Sequence, residues 1–289
     1  MATLREIRTR IASVKSTQQI TKAMKMVAAA KLRKAQEKII AARPYVGKMQ
    51  GIVSHLVGKM EDTEHPLLVS RDIEKVLLVI VTSDRGLCGG FNANLIRHAL
   101  KKINTYADKE VSIYVVGKKG YDFFSRRDFR MFTSKTNIFN HLNFQDALDI
   151  SREITQAYQD GKFDQVDLVY NAFKSAVRQD LTIEQFLPFK AAAEESEKET
   201  SLVDYLYEPA KAEILDAILP RQLNVLIWKI LLESNASEQG ARMTAMESAT
   251  DNAEELISDL TLHYNRARQA AITKEISEIV GGAEALKEK

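Results

Sequence analysis

The residues whose types could do chemistry stand together at 83–90, Ser83-Asp84-Arg85-Gly86-Leu87-Cys88-Gly89-Gly90. Gly86-x-x-Gly89-Gly90 follows an aliphatic run and precedes a helical pattern, and backbone amides at such a turn can cradle a phosphate. A nucleotide-binding enzyme is therefore one reading. The detailed fingerprints G-x-G-x-x-G and G-x-x-x-x-G-K-[ST] are both absent from it. Glycines there also serve simply to permit positive φ at a tight strand–helix turn. Cys88 is the single cysteine. As a nucleophile it would need a neighbouring base, usually histidine, and His55, His65, His98, His141 and His263 form no motif. The sequence predicts a buried small hydrophobe instead. One cysteine excludes an internal disulfide and a multi-cysteine metal site. The carboxylates fall at helix-surface spacing or in the acidic stretch 194–199. No catalytic residue, cofactor or metal ligand is expected.

The strongest chemical asymmetry is one of charge. The chain of 289 residues carries a net charge of +2. Residues 1–59 hold 13 basic and 2 acidic residues, +11, and the remainder holds 28 basic and 37 acidic, −9. A basic first fifth calls for an anionic partner. A DNA-grasping basic region would want clean leucine heptads and aromatic interleaving, which are missing. A basic coiled-coil adaptor for nucleic acid stays as an alternative that predicts steep salt dependence. A presequence would be shorter. An acidic protein surface is the preferred partner. No apolar run approaches the ~20 residues needed to cross a bilayer.

The elements that must position these groups follow from periodicity. Leu4, Ile7, Ile11 and Val14 step as an amphipathic helix. The seam turns polar at Gln18, Thr21 and Lys25, while Ile20, Met24 and Val27 gather on another side, and Ala28, Leu32, Ala35 and Ile39 restore the first stripe. One helix of about 55 residues burying different faces at different heights is predicted, surrounded by more than a single partner. Residues 61–70 read as a linker. Strands are expected at 76–82, 111–116, 130–133, 167–173 and 182–189, the last at an edge because of Pro188. Helices are expected at 92–107 with Asn92 as N-cap, at 118–127, and at 143–159 closed by Asp160-Gly161. This alternation predicts a small α/β domain. Residues 191–200 read as a flexible acidic connector. From Pro209 a second long helix is expected, broken, kinked or restarted at Pro220. Its small-residue stretch 234–253 suits close approach to a partner helix, and Leu256, Leu260, Tyr264, Ala267 and Ala271 continue one stripe. Neither helix keeps clean heptads, and neither is stable alone at this length, so the two pair antiparallel.

Four segments then carry a family resemblance: Ile7-Arg8-x-Arg10-Ile11-x-Ser13-Val14 with Gln19-Ile20-Thr21-Lys22-Ala23-Met24-Lys25-Met26-Val27-Ala28; the turn 83–90; Ser237-Glu238-Gln239-x-Ala241-Arg242-Met243-x-Ala245-Met246; and Ile272, Thr273, Glu275, Glu278, Gly282 and Ala283 in the pattern [IV]-T-x-E-x-x-[DE]-x-x-x-G-A. In order and across the whole chain, these resemble the gamma subunit of F-type ATP synthases, of the bacterial kind.

The resemblance implies an α/β-plus-long-helices fold: an antiparallel coiled coil of the terminal helices with an inserted small Rossmann-like α/β domain. The implied division is 1–60, 70–205 and 209–289. It implies a non-catalytic central rotor shaft that carries torque from the membrane c-ring to catalytic beta subunits and couples proton flow to ATP synthesis. Its implied partners are alpha and beta subunits, the epsilon subunit and the c-ring, with no nucleic acid and no insertion into the bilayer. The implied location is peripheral, at the cytoplasmic face of the bacterial plasma membrane, and Met1-Ala2-Thr3 resembles a mature bacterial start. Met24 and Lys25 match the segment near an acidic lever of the beta subunit. Gln239, Arg242, Arg268, Gln269 and Thr273 match beta-contacting positions, and the tip beyond Ile272 matches one that lies in a hydrophobic sleeve. Tyr205 and Tyr207 match a segment near the c-ring. Photosynthetic relatives carry paired regulatory cysteines, so thiol control of that type is not expected with Cys88 alone.

Overall fold

The computed structural model of the protein describes residues 3–58, 65–190 and 211–287. Tyr205, Tyr207 and the acidic connector lie outside the described residues, as do residues 61–64 of the predicted linker at 61–70. The chain divides into two compact units. One comprises Met1–Val27 and Met243–Lys289, the other Ala28–Arg242. The division cuts both terminal helices, α1 (Leu4–Gly58) and α5 (Lys211–Lys287).

The larger unit is built on a five-stranded sheet in the order β3-β2-β1-β4-β5. Its elements in chain order are β1 (Lys75–Val81), α2 (Phe91–Asn104), β2 (Glu110–Val116), α3 (Lys118–Phe124), β3 (Arg130–Lys135), α4 (Phe144–Gln159), β4 (Gln165–Phe173) and β5 (Gln179–Leu187). β1 pairs in parallel with β2 and β4, and β2 with β3, whereas β5 is antiparallel to β4 at the edge. Central β1 is apolar on both faces and buried from Val76 to Val81, as a covered parallel strand must be. One face packs Leu78, Ile80, Ile113, Val115 and Val169 against Leu95, Ile96 and Ala99 of α2 and Phe124 of α3. The opposite side carries α4, whose Glu153 accepts the Tyr114 hydroxyl at 2.7 Å. Burial, and after it hydrogen bonding to that carboxylate, pushes the Tyr114 phenol far above its usual range.

Three expected helix ends need correction. Asn92 does not cap α2: Gly90 takes the N-cap without a side-chain bond, and the Asn92 amide is drawn into the preceding turn. α4 does start on Asn143, with a full capping box between Asn143 and Asp146, and Gly161 follows it at φ 71°. α2 and α3 also stop earlier than expected, at Asn104 and Phe124.

Pro220 lies inside α5, which runs through it without a break. Proline in a helix interior costs about 3 kcal/mol. Leu215, Leu219 and Leu223 around it are 0–1% exposed, and burying each is worth roughly 1.5–3 kcal/mol, which outweighs the lost hydrogen bond. In this unit Ala28, Leu32, Ala35, Ile39, Val53 and Leu56 of α1 are buried. A cavity of about 200 Å³ between the helices is lined by Ile39, Ala42, Val46 and Gly47 of α1 and by Lys229 and Leu232 of α5, among others.

In the smaller unit the burial of α1 is more regular than its residue types. The buried and half-buried positions are Leu4, Ile7, Ile11, Val14, Gln18, Thr21 and Lys25, alternately three and four apart, with Met24 beside them. α5 answers with Met246, Thr250, Ala253, Ile257, Leu260, Tyr264, Ala267 and Ala271. Both burial patterns follow a heptad seam, although the residue types along α1 keep no clean heptads. The polar stretch of the seam is real, but it is satisfied across the pair: the Thr21 and Thr250 hydroxyls lie 2.8 Å apart and Lys25 pairs with Glu247 at 2.6 Å. These two contacts fix an antiparallel register. Carried along the helices, that register sets Val14 level with Ile257 and Leu4 level with Ala267. Leu256 is off the stripe at 39% exposure; its neighbour Ile257 takes the place, because the heptad and not the local run sets the phase.

Gly117 and Gly161 separate two glycine costs. Gly117, at φ 101°, would drive a Cβ into the Thr82 carbonyl, whereas Gly161, at φ 71°, faces open space. Gly161→Ala should cost about 1 kcal/mol of stability and Gly117→Ala at least about 3 kcal/mol. Chemical denaturation of the two variants checks the order; equal losses would contradict it.

Candidate functional site

The sheet runs outward from β1 through β2 to β3, then returns to place β4 on the other side of β1. In such doubly wound sheets the reversal of strand order opens a crevice outside the carboxyl ends of the strands, and ligands bind there. Here the crevice lies beyond β1 and β4, beside the turn 83–90. It is occupied by the chain's own helix. Ser234 of α5 donates to the Val81 carbonyl at 3.5 Å, at the limit of a hydrogen bond, and Ser237 donates to the Asn171 carbonyl at 3.1 Å. Gly240 stands so close to the β4–β5 connection that a Cβ would come within 3.0 Å of the Ala176 carbonyl oxygen. The small residues of α5 thus serve approach to the sheet, where the sequence suggested approach to another helix.

The turn itself is organised from within. Asp84, 7% exposed, accepts the backbone N–H groups of Lys118, Asn137 and Phe139 at 3.0, 2.7 and 3.0 Å. One carboxylate therefore ties the loop after β1 to those after β2 and β3. The Asn92 amide nitrogen donates to Ser83 Oγ at 2.7 Å and to Cys88 Sγ at 3.3 Å. Of the three glycines only Gly89 uses a positive φ, 56°, while Leu87 takes 62° without being glycine. Cys88 is 2% exposed, the buried small residue expected. Burial pushes its thiol above the usual value, against the opposing pull of Arg242, so it stays protonated near neutral pH.

Arg242 closes the turn from α5. Its guanidinium pairs with Glu238 at 2.7 Å, donates to Gln239 Oε1 at 3.2 Å and reaches the carbonyls of Arg85 and Gly86 at 3.4 and 3.2 Å. Burial raises the Glu238 carboxyl and Arg242 pulls it back. Two motifs about 150 residues apart in sequence, the turn 83–90 and Ser237–Met246, thus meet at one place; the residues that meet are Arg85, Gly86, Glu238 and Arg242. Sequence reading singled out both motifs but had no signal that they touch. It also missed Asp84 as the loop organiser, since a lone aspartate after a strand has no distinctive spacing.

The other expected site residues among those described lie in the smaller unit. Met24 and Lys25 are half-buried, with Lys25 held by Glu247, while Arg268, Gln269 and Thr273 are exposed. Of the expected second face, Ile20 and Val27 are 56% exposed, whereas Met24 lies half-buried beside the seam; Met26 is 62% exposed as well. The basic side chains of Arg5, Arg8, Arg10, Lys15 and Lys22 are also exposed. On α5, Ile272, Ile276, Ile279 and Val280 are 48–71% exposed. They lie past the level at which α1 begins. Among the described residues no group of three or more His, Cys, Asp and Glu side chains could hold a metal, and no helix is long and apolar enough to cross a membrane.

The crevice that a doubly wound sheet offers to a ligand is thus filled by α5 itself and leaves no room there for a nucleotide. Comparison with known proteins supplies the family. The ATP synthase family model matches residues 3–286. The chain is 50% identical to the ATP synthase gamma chain of Chloroherpeton thalassium, over 100% of this chain and 99% of that one. It is likewise 50% identical to that of Geobacter sp. strain M21, over 99% and 100%. Among solved structures it resembles a chain of the Tetrahymena thermophila mitochondrial ATP synthase central stalk and c-ring, at 30% identity and a TM-score of 0.60, covering 80% of this chain and 99% of that one. A chain of the Euglena gracilis mitochondrial enzyme shares the fold at a TM-score of 0.71 and 23% identity, covering 98% and 94%. The chain belongs to the ATP synthase gamma chain family.

Asp84→Ala leaves three backbone amides without their acceptor and should cost about 3 kcal/mol. Hydrogen exchange should quicken at Lys118, Asn137 and Phe139 while the β4–β5 pairing keeps its protection. Unchanged exchange at those three amides would remove the assigned role.

Proposed function

We propose that the protein is the rotor shaft of an ATP synthase central stalk, carrying torque between a membrane c-ring and the catalytic beta subunits. The observation that carries this reading is the antiparallel helix pair with apolar and basic faces left exposed, in a chain of this family. A shaft turning inside a ring must meet each subunit in turn without holding any. Wet-rim ion pairs worth ~0–1 kcal/mol each and scattered apolar side chains suit that task better than one tight interface would.

In this reading the division 1–60, 70–205 and 209–289 is functional: two helical strands form the shaft and the α/β domain forms the foot, beside epsilon and the c-ring. Met24, Lys25, Arg268, Gln269 and Thr273 face the beta subunits, with Lys25 exchanging between Glu247 and the acidic lever. Gln239 and Arg242 belong to the same beta-facing set, with Arg242 also bonded within the chain to Glu238, Gln239 and the turn. Tyr205 and Tyr207 are assigned to the c-ring side on family likeness. The exposed Ile272, Ile276, Ile279 and Val280 occupy an apolar sleeve at the top of the ring. Catalysis belongs to beta, and this chain contributes no reacting group. The complex sits at the cytoplasmic face of the bacterial plasma membrane, with this subunit peripheral.

Mixing the purified chain with alpha and beta subunits should give a stable ring with steady ATPase activity that depends on the chain. No ring and no dependence would sink the reading. Met24→Glu should place an acid against the acidic lever and lower ATP synthesis in membranes severalfold; unchanged synthesis would count against the assigned contact.

A further inference from the structure

Glu238 and Arg242 form an ion pair with side chains 5% and 10% exposed. Buried pairs of this kind are weak stabilisers, because desolvation offsets much of the attraction. What this pair does is directional. It aims the guanidinium at the carbonyls of Arg85 and Gly86, two groups in the turn that follows the central strand. One and two turns earlier on α5, Ser237 and Ser234 bind carbonyls of β4 and β1. Between them and Arg242, Gly240 lets the helix backbone touch Ala176. The contacts therefore run for more than two helical turns and reach three separate segments: the end of β1 with its turn, β4, and the β4–β5 connection. Asp84 ties the same turn to the loops after β2 and β3, so the grip extends across most of the sheet.

A helix held at one point can rotate about its axis. One held by groups at successive angles around and along it cannot. The geometry points to the segment Ser234, Ser237, Glu238, Gly240 and Arg242, seated in the switch-point crevice of the sheet, as the joint that keys the C-terminal helix to the α/β domain against twist. These are positioning residues, not a binding site: the crevice that would take a ligand in a doubly wound sheet has become the socket of a torsional coupling. The inference rests on the rotor reading, since only a shaft under torque needs such a key.

The joint predicts a split between unloaded and loaded function. The catalytic head with this chain needs no torque from the foot to hydrolyse ATP, whereas proton pumping does. Gly240→Val pushes a branched side chain into the Ala176 backbone and should leave ATPase activity of the detached head within about twofold. ATP-driven proton pumping in reconstituted membranes should fall at least about fivefold, with Gly240→Ala in between. Ser237→Ala removes only one hydrogen bond and provides a milder variant if Gly240→Val does not fold; its pumping should fall about twofold more than its ATPase. In both, amides of the turn 83–90 should exchange faster in the isolated chain. Equal losses of ATPase and pumping, or pumping unchanged despite faster exchange in the turn, would overturn the joint. Failure of the wild-type chain itself to support any chain-dependent ATPase or pumping would instead overturn the rotor reading.

Discussion

The structure depends on how α5, at 77 residues, finds cover for its apolar and small-residue faces. An isolated helix gains little from its own hydrogen bonds in water, and most helical stability in proteins comes from packing. α5 solves this with different partners at different heights. In one unit it presents a heptad stripe to α1; in the other it meets the carboxyl ends of parallel strands. Side chains change accordingly, from Ile257, Leu260 and Tyr264 in the first to Ser234, Ser237 and Gly240 in the second.

That change of partner explains features that are puzzling in isolation. A fold built for ligands at its strand reversal binds none there in this reading, because serine hydroxyls and an arginine fork already satisfy the carbonyls. Glycines that invite a phosphate reading shape a turn whose carbonyl oxygens face Arg242. Oxygens aimed inward attract a cation and repel a phosphate, so the electrostatics of the turn oppose the chemistry its glycines suggest. The single cysteine is filler within the same turn, its thiol kept neutral by burial.

Polar residues in the seam of the smaller unit fit a rotor shaft. Gln18, Thr21 and Lys25 interrupt the apolar stripe of α1 yet remain on it. The Thr21–Thr250 contact and the Lys25–Glu247 pair specify one register at the cost of some apolar burial, a use of polar seam residues known from coiled coils. A shaft needs a defined register more than maximal stability, since slippage of one helix past the other would dissipate torque.

Much of this was legible in sequence. The charge split, the β1 run, the capping-box helix from Asn143 and the two long terminal helices all rest on local spacing and propensity, and each element is present. Family motifs placed the chain as a whole. What sequence could not decide were matters of phase and partner. Leu256 and Ile257 are equally apolar, and only packing against α1 selected Ile257. Pro220 reads as a break, and only the buried leucines around it hold the helix through. Asn92 reads as a cap, and only the turn's need for a donor near Ser83 and Cys88 diverts it. Arg242 matches a position expected to face another subunit, and only the fold brings Arg85 and Gly86, more than 150 residues away, close enough to claim its guanidinium. Local periodicity sets which elements form, because it acts within a few residues. Which face each element buries depends on contacts between distant segments, and those exist only once the chain has folded.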